Sequence, residues 1–106
     1  MRILVVGGGG REHALAARLA RETGVSYVCC APGNPGMASF ATLAPVDVSD
    51  PDAVLALVER DGIDLTVVGP ELPLERGLVD RLREAGRRVF GPPRAAGTRD
   101  EDDLHL

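Results

Sequence analysis

Ile3-Leu4-Val5-Val6-Gly7-Gly8-Gly9-Gly10-Arg11-Glu12-His13 is the stretch that decides the fold. An apolar, largely β-branched run closed by glycine and followed by helix formers, here Ala14-Leu15-Ala16-Ala17, predicts a buried strand that turns tightly into a helix. Four glycines are more than a turn requires. The first N–H groups of a helix have no intrahelical partner, and the peptide dipoles sum to positive charge there, so such a turn favours an anion. Glycines let the backbone approach a phosphate without an intervening Cβ. Arg11 can add a two-pronged, charge-assisted contact worth about 1.5–3 kcal/mol. A tight connection with no ligand is the plainer alternative.

Downstream, the pattern alternates. The helix is expected over about Arg11 to Glu22, with Leu15 and Leu19 one turn apart on its apolar side and Gly24 past its end. A second strand, Ser26 to Ala31, breaks into Pro32-Gly33-Asn34-Pro35-Gly36, a dense run of turn residues. A short strand is expected over Thr42 to Val46. Ser49-Asp50-Pro51-Asp52 then gives a cap and a proline at the first helical position. The helix that follows buries Ala53, Val54, Leu57 and Val58 and stops at Gly62. A fourth strand, Asp64 to Val68, ends in Gly69-Pro70-Glu71. Leu74, Leu78 and Leu82 mark a third helix with Gly86 past its end, and Arg88 to Phe90 form a last strand before Gly91-Pro92-Pro93.

Strands and helices alternating over spans this short predict an α/β fold, an open parallel sheet of about five strands with helices on both faces. The composition agrees. Among 106 residues 44% are hydrophobic but only 3% aromatic, so the core must be built from Val, Leu, Ile and Ala. One domain fits this length, with a net stability on the order of 5–15 kcal/mol. In such sheets ligands bind outside the carboxyl ends of the strands, where the strand order reverses. The loops Gly7 to Gly10, Gly33 to Gly36, Gly69 to Glu71 and Gly91 to Arg94 all follow strands, so all are expected on one edge.

Several function classes are set aside. The formal net charge is −4 and all twelve basic residues are scattered arginines, which is no nucleic-acid footprint. No apolar stretch approaches the ~20 residues of a membrane span, and no signal-peptide pattern opens the chain, so a cytoplasmic location is expected. Cys29 and Cys30 are adjacent in a strand and point to opposite faces; they read as small core residues, not as metal ligands or a disulfide. A dinucleotide fingerprint fails, because its third glycine falls at Glu12 or His13 and no acid follows the second strand. A phosphate-cradling P-loop fails because the chain has no lysine.

Gly9-Gly10-Arg11-Glu12-His13-Ala14, Ala31-Pro32-Gly33-Asn34-Pro35-Gly36 and Asp64-Leu65-Thr66-Val67-Val68-Gly69-Pro70-Glu71, with Pro73-Leu74, Gly91-Pro92 and Ala95-Ala96, carry a family resemblance. In that order they resemble the N-terminal domain of the phosphoribosylamine-glycine ligase (glycinamide ribonucleotide synthetase) family, over about residues 1–96. The resemblance implies a Rossmann-like pre-ATP-grasp domain of a purine-synthesis ligase. In that family ATP activates glycine as an acyl phosphate, which the amine of 5-phosphoribosylamine attacks. It also implies that this domain forms the phosphoribosylamine side of the site, while ATP and magnesium belong to ATP-grasp domains of the full-length enzyme. No cofactor is expected in this chain.

The candidate substrate-binding residues are Gly9, Gly10, Arg11, Glu12, His13, Gly33, Asn34, Gly36, Pro70 and Glu71, and no catalytic residue is named. Glu71 is the carboxylate expected to accept from ribose hydroxyls or the substrate amine, or else a solvated loop acid. Glu12 either meets the ligand or complements the helix dipole. His13 either touches the phosphate or fixes the glycine loop, or else is a satisfied structural group at a helix start. Asn34 either donates to the ligand or makes an Asx-turn. After Ala96 the sequence departs from the family in an acidic tail, residues 97–106, whose run Asp100-Glu101-Asp102-Asp103 favours disorder. The chain alone is therefore expected to be inactive and to present an apolar surface to its missing domains. A stand-alone sugar-phosphate or nucleotide-binding module is the second reading, and a dehydrogenase domain a weaker third.

Overall fold

A computed structural model describes residues 1–69 and 75–91, the side chains of residues 75 and 76 excepted. Five strands form one all-parallel sheet in the order β3-β2-β1-β4-β5: β1 Arg2–Gly7, β2 Tyr27–Pro32, β3 Thr42–Leu43, β4 Leu65–Val68 and β5 Val89–Phe90. The opening apolar run is the central strand. Ile3, Leu4, Val5 and Val6 are each at most 2% exposed, and β1 pairs from Arg2↔Tyr27 to Gly7↔Pro32 on one side and from Ile3↔Leu65 to Val6↔Val68 on the other.

The two-residue alternation of the strands divides the core. Leu4, Val6, Cys29, Ala31 and Val68 face the helices α2 (Pro51–Asp61) and α3 (Glu75–Glu84). Ile3, Val5, Val28 and Cys30 face α1 (Gly10–Ala20) together with Met37 of the 3-10 turn Pro35–Met37. The two cysteines thus lie on opposite faces as free, buried thiols. Burying each large aliphatic side chain contributes about 1.5–3 kcal/mol, so the four residues of β1 alone anchor both layers.

Helix α2 has the caps its sequence announces. The Asp50 carboxylate accepts from the N–H groups of Asp52 at 3.1 Å and Ala53 at 3.4 Å, Pro51 opens the helix, and Gly62 closes it in the left-handed region at φ +63°. Its buried residues are Val54, Leu55, Leu57 and Val58; Leu55 takes the place expected for Ala53, which is half-buried.

Three other details differ from expectation. Helix α1 runs only to Ala20 and turns Glu12 and Ala16, not Leu15, toward the sheet; Leu15 is 37% exposed. The helix ends without a left-handed glycine, because the N–H groups of Arg21 and Glu22 fall back to the carbonyls of Arg18 and Leu19 at 3.1 and 3.0 Å. Gly24 instead offers its carbonyl to the N-terminal ammonium at 2.7 Å. Strand β3 stops at Leu43 rather than Val46, since Pro45 has no N–H to extend the ladder.

The strand order reverses beside β1: the chain proceeds outward through β2 and β3, then crosses to β4 and β5 on the other side. Gly7, at the carboxyl end of β1, and Gly69, whose N–H reaches the carbonyl of Val6 at 3.4 Å, border this switch point.

Candidate functional site

The glycine run leaves β1 at Gly7, which has φ +132°, a conformation that side-chain-bearing residues rarely adopt. A Cβ on Gly7 would stand 2.7 Å from Cγ of Glu12, and one on Gly8 would stand 2.7 Å from the carbonyl oxygen of Gly33. Gly7 and Gly8 are therefore required by what packs on them. Gly10 is different: a Cβ there would meet nothing within 4 Å, so this glycine faces open space.

Gly9 is the N-cap of α1 and has no side-chain oxygen to offer the helix. Glu12, three residues on, folds back so that its Oε1 accepts from the Gly9 N–H at 2.8 Å, while the side chain is only 5% exposed. The His13 N–H closes the first turn onto the carbonyl of Gly9 at 2.9 Å. The amides of Gly10, Arg11 and Glu12 are left without a backbone acceptor among the described residues. Arg11 lies beside them, exposed, and its guanidinium makes no hydrogen bond or ion pair with the described residues.

The loop after β2 is laced to the first. The Gly33 N–H donates to the carbonyl of Gly7 at 3.1 Å, with Gly33 at φ +73° following a cis Ala31–Pro32 bond. Asn34 donates from Nδ2 to the carbonyl of Gly8 at 2.9 Å and accepts at Oδ1 from the Gly36 N–H at 2.9 Å. His13 is half-buried between Gly36 and Phe40, its ring edge-to-face with Phe40 at 5.5 Å between centroids. Cε1 of His13 would stand 3.0 Å from a Cβ on Gly36, so that position too has little room.

The structure thus brings Gly9, Gly10, Arg11, Glu12, His13, Gly33, Asn34 and Gly36 together on one sheet edge. Pro70 and Glu71 lie outside the described residues. Two contributors went unnamed in the sequence. Gly8 matters because Gly33 crosses it, which only the tertiary register reveals, and Phe40 matters because His13 rests on it, a pairing no local pattern announces.

The rest of the molecule offers less chemistry. A cavity of about 310 Å³, lined by Ala20 and residues 25–28 and 39–42, shares only Phe40 with this site, and neither glycine loop borders it. Burial pushes the Cys30 thiol up to about 11 and raises that of Cys29, so neither is a nucleophile near neutral pH. Among the described residues no group of three or more His, Cys, Asp or Glu could hold a metal ion, and no helix is long and apolar enough to cross a membrane. A magnesium ion would find no such group among the described residues, and the chain has no lysine to meet nucleotide phosphates.

A parallel sheet whose strand order reverses beside two interlocked glycine loops defines a Rossmann-like α/β domain. The family model for phosphoribosylglycinamide synthetase, N domain, matches residues 1–98, and the chain belongs to that family. It is 53% identical over 96 residues to a phosphoribosylamine-glycine ligase of Ralstonia nicotianae, covering 91% of this chain and 23% of the relative. A ligase of the same name from Xylella fastidiosa is 53% identical over 98 residues, covering 91% and 22%. One from Streptomyces coelicolor is 53% identical over 92 residues, covering 87% and 22%. The chain therefore spans less than a quarter of the length of these relatives.

Proposed function

We propose that this chain forms the phosphoribosylamine side of a phosphoribosylamine-glycine ligase of purine synthesis. The observation that carries the reading is the opening of α1: three amides without described acceptors, an open glycine at position 10 and an exposed Arg11 with no partner among the described residues, all at the switch point of the sheet. A sugar phosphate fits there. Its phosphate accepts from the amides of Gly10, Arg11 and Glu12 and from the Arg11 guanidinium, each a charge-assisted bond. Gly10 leaves room for the oxygens. Glu71 follows β4 in sequence and, in this reading, supplies the carboxylate for the ribose hydroxyls or the amine.

What the chain contributes is binding and orientation: it holds the phosphoribosyl group so that the amine is presented to an activated glycine carboxylate. ATP and magnesium are then held by parts of the ligase that this chain does not include. Titration calorimetry of the 106-residue chain with ribose 5-phosphate tests the proposal. Weak binding is expected from one wall of a site, and Arg11→Ala weakens it about tenfold, the loss of roughly 1.4 kcal/mol. Equal affinities for both proteins, or no heat with any phosphosugar, refute it.

A further inference from the structure

Asn34 has both ends of its carboxamide engaged, and they do different things. Oδ1 closes the residue's own turn by accepting from Gly36, whereas Nδ2 reaches 26 residues back along the chain to the carbonyl of Gly8. The orientation of the amide is fixed by chemistry, since turning it over would set oxygen against the Gly8 carbonyl and NH2 against the Gly36 N–H. There is little slack in this joint. Gly33 donates to Gly7 next to it, and Gly8 comes so close to Gly33 that a Cβ would not fit.

We propose that Asn34 is a positioning residue for the anion seat: by holding the Gly8 carbonyl toward the second loop, it keeps that acceptor from turning among the donor amides of Gly10 to Glu12. The inference rests on the reading of α1 as the phosphate seat. An oxygen swung toward a phosphate repels it and offers the amides a competing partner, so the loss falls on affinity beyond any loss of stability. With its acceptor and one N–H already in use, Asn34 serves the ligand through Gly8 rather than by contact.

The variant that separates these roles is Asn34→Ser, whose hydroxyl can still close the turn on Gly36 but is too short to reach Gly8. The control is Gly62→Ala, strained at φ +63° at the far end of α2, at the opposite edge of the sheet. In the 106-residue chain, ribose 5-phosphate is expected to shift the amide resonances of Gly10, Arg11 and Glu12. Asn34→Ser should bind about tenfold more weakly, and Gly62→Ala should bind like the parent despite a lower melting temperature. If Asn34→Ser binds like the parent, or Gly62→Ala loses as much, the positioning role is overturned while the seat stands. If the parent's amides do not respond at all, the seat itself falls, and the inference with it. Should the serine variant fail to fold, the parent decides: the Asn34 side-chain NH2 must stay protected from exchange when ribose 5-phosphate binds, and loss of that protection overturns the proposal.

Discussion

Truncating Glu12 to alanine separates its two readings, as the helix's own N-terminal partner or as a ligand contact. The Oε1 bond to the Gly9 N–H is 2.8 Å long in a side chain only 5% exposed, and a charge-assisted bond of this kind contributes about 1.5–3 kcal/mol. A carboxylate in the first turn of a helix adds about 0.3–1 kcal/mol against the macrodipole. Desolvation of the carboxylate offsets part of this, which leaves a loss of about 2–3 kcal/mol for Glu12→Ala. For a domain near 100 residues that lowers the melting temperature by roughly 10–20 °C. Glu12→Gln keeps an acceptor oxygen and loses only the charge, so it should cost about 1 kcal/mol. Urea unfolding followed by far-UV circular dichroism measures both, with an unchanged slope showing that the denatured state is the same. If Glu12→Ala stays within about 0.5 kcal/mol of the parent, the typical range of surface substitutions, and yet abolishes ribose 5-phosphate binding, the carboxylate belongs to the ligand and the capping argument is wrong.

Gly8→Ala and Gly10→Ala should part company. The first drives a methyl to 2.7 Å from a backbone oxygen and should destabilise by about 1–3 kcal/mol, whereas the second enters open space and should leave stability intact while weakening phosphosugar binding; melting and titration on the pair check this. Thr66→Val should raise stability by about 1 kcal/mol, because the Thr66 hydroxyl is fully buried with no partner among the described residues; a loss of stability on urea titration would mean that the hydroxyl is bonded after all. The Cys30 thiol is held near 11 in the folded chain by burial and ordinarily lies near 9, so between those values the unfolded state gives up its proton first. Stability should therefore fall from about pH 9 toward 11, with Tyr27 and Cys29, both also raised by burial, adding in the same direction. Urea midpoints across that range, together with slow reaction of the native thiols with a disulfide reagent, measure it.

The sheet was readable because each of its determinants is local. The β-branched run of β1, the Asp50-Pro51 start of α2 and the left-handed Gly62 are fixed by their own neighbours in sequence, and each is found where the pattern puts it. Leu15 was misread because spacing alone cannot say which side of a short helix meets the sheet. The tight turn at Gly7 rotates α1 so that Glu12 and Ala16 face inward, and a small residue at position 16 lets the helix approach. Gly24 was misread because a helix can close its last carbonyls through backward bonds as well as through glycine. Within the site, the gathering of the first two glycine loops followed from strand parity and topology. What each polar side chain does there did not, because Asn34 and His13 are defined by partners beyond their own loop, and Glu12 by folding back onto Gly9 where it could equally have faced a ligand.

A division of labour follows from these partners. Glu12 holds Gly9, Asn34 holds Gly8 and Gly36, and His13 rests between Gly36 and Phe40. Among the described residues, the polar side chains best placed to look like ligand contacts are thus engaged in fixing backbone, and the groups these loops leave over for a ligand are backbone amides and the Arg11 guanidinium. An anion recognised mainly by amides is sensed through the conformation of the loop, because amides cannot be moved one at a time. Substitutions at Glu12 and Asn34 should therefore act on affinity by disturbing several donors together, while Arg11→Ala removes one. That difference is visible in the resonances: a lost guanidinium leaves the response of the Gly10 to Glu12 amides in place at higher ligand concentration, and a disturbed loop alters the amides even before ligand is added.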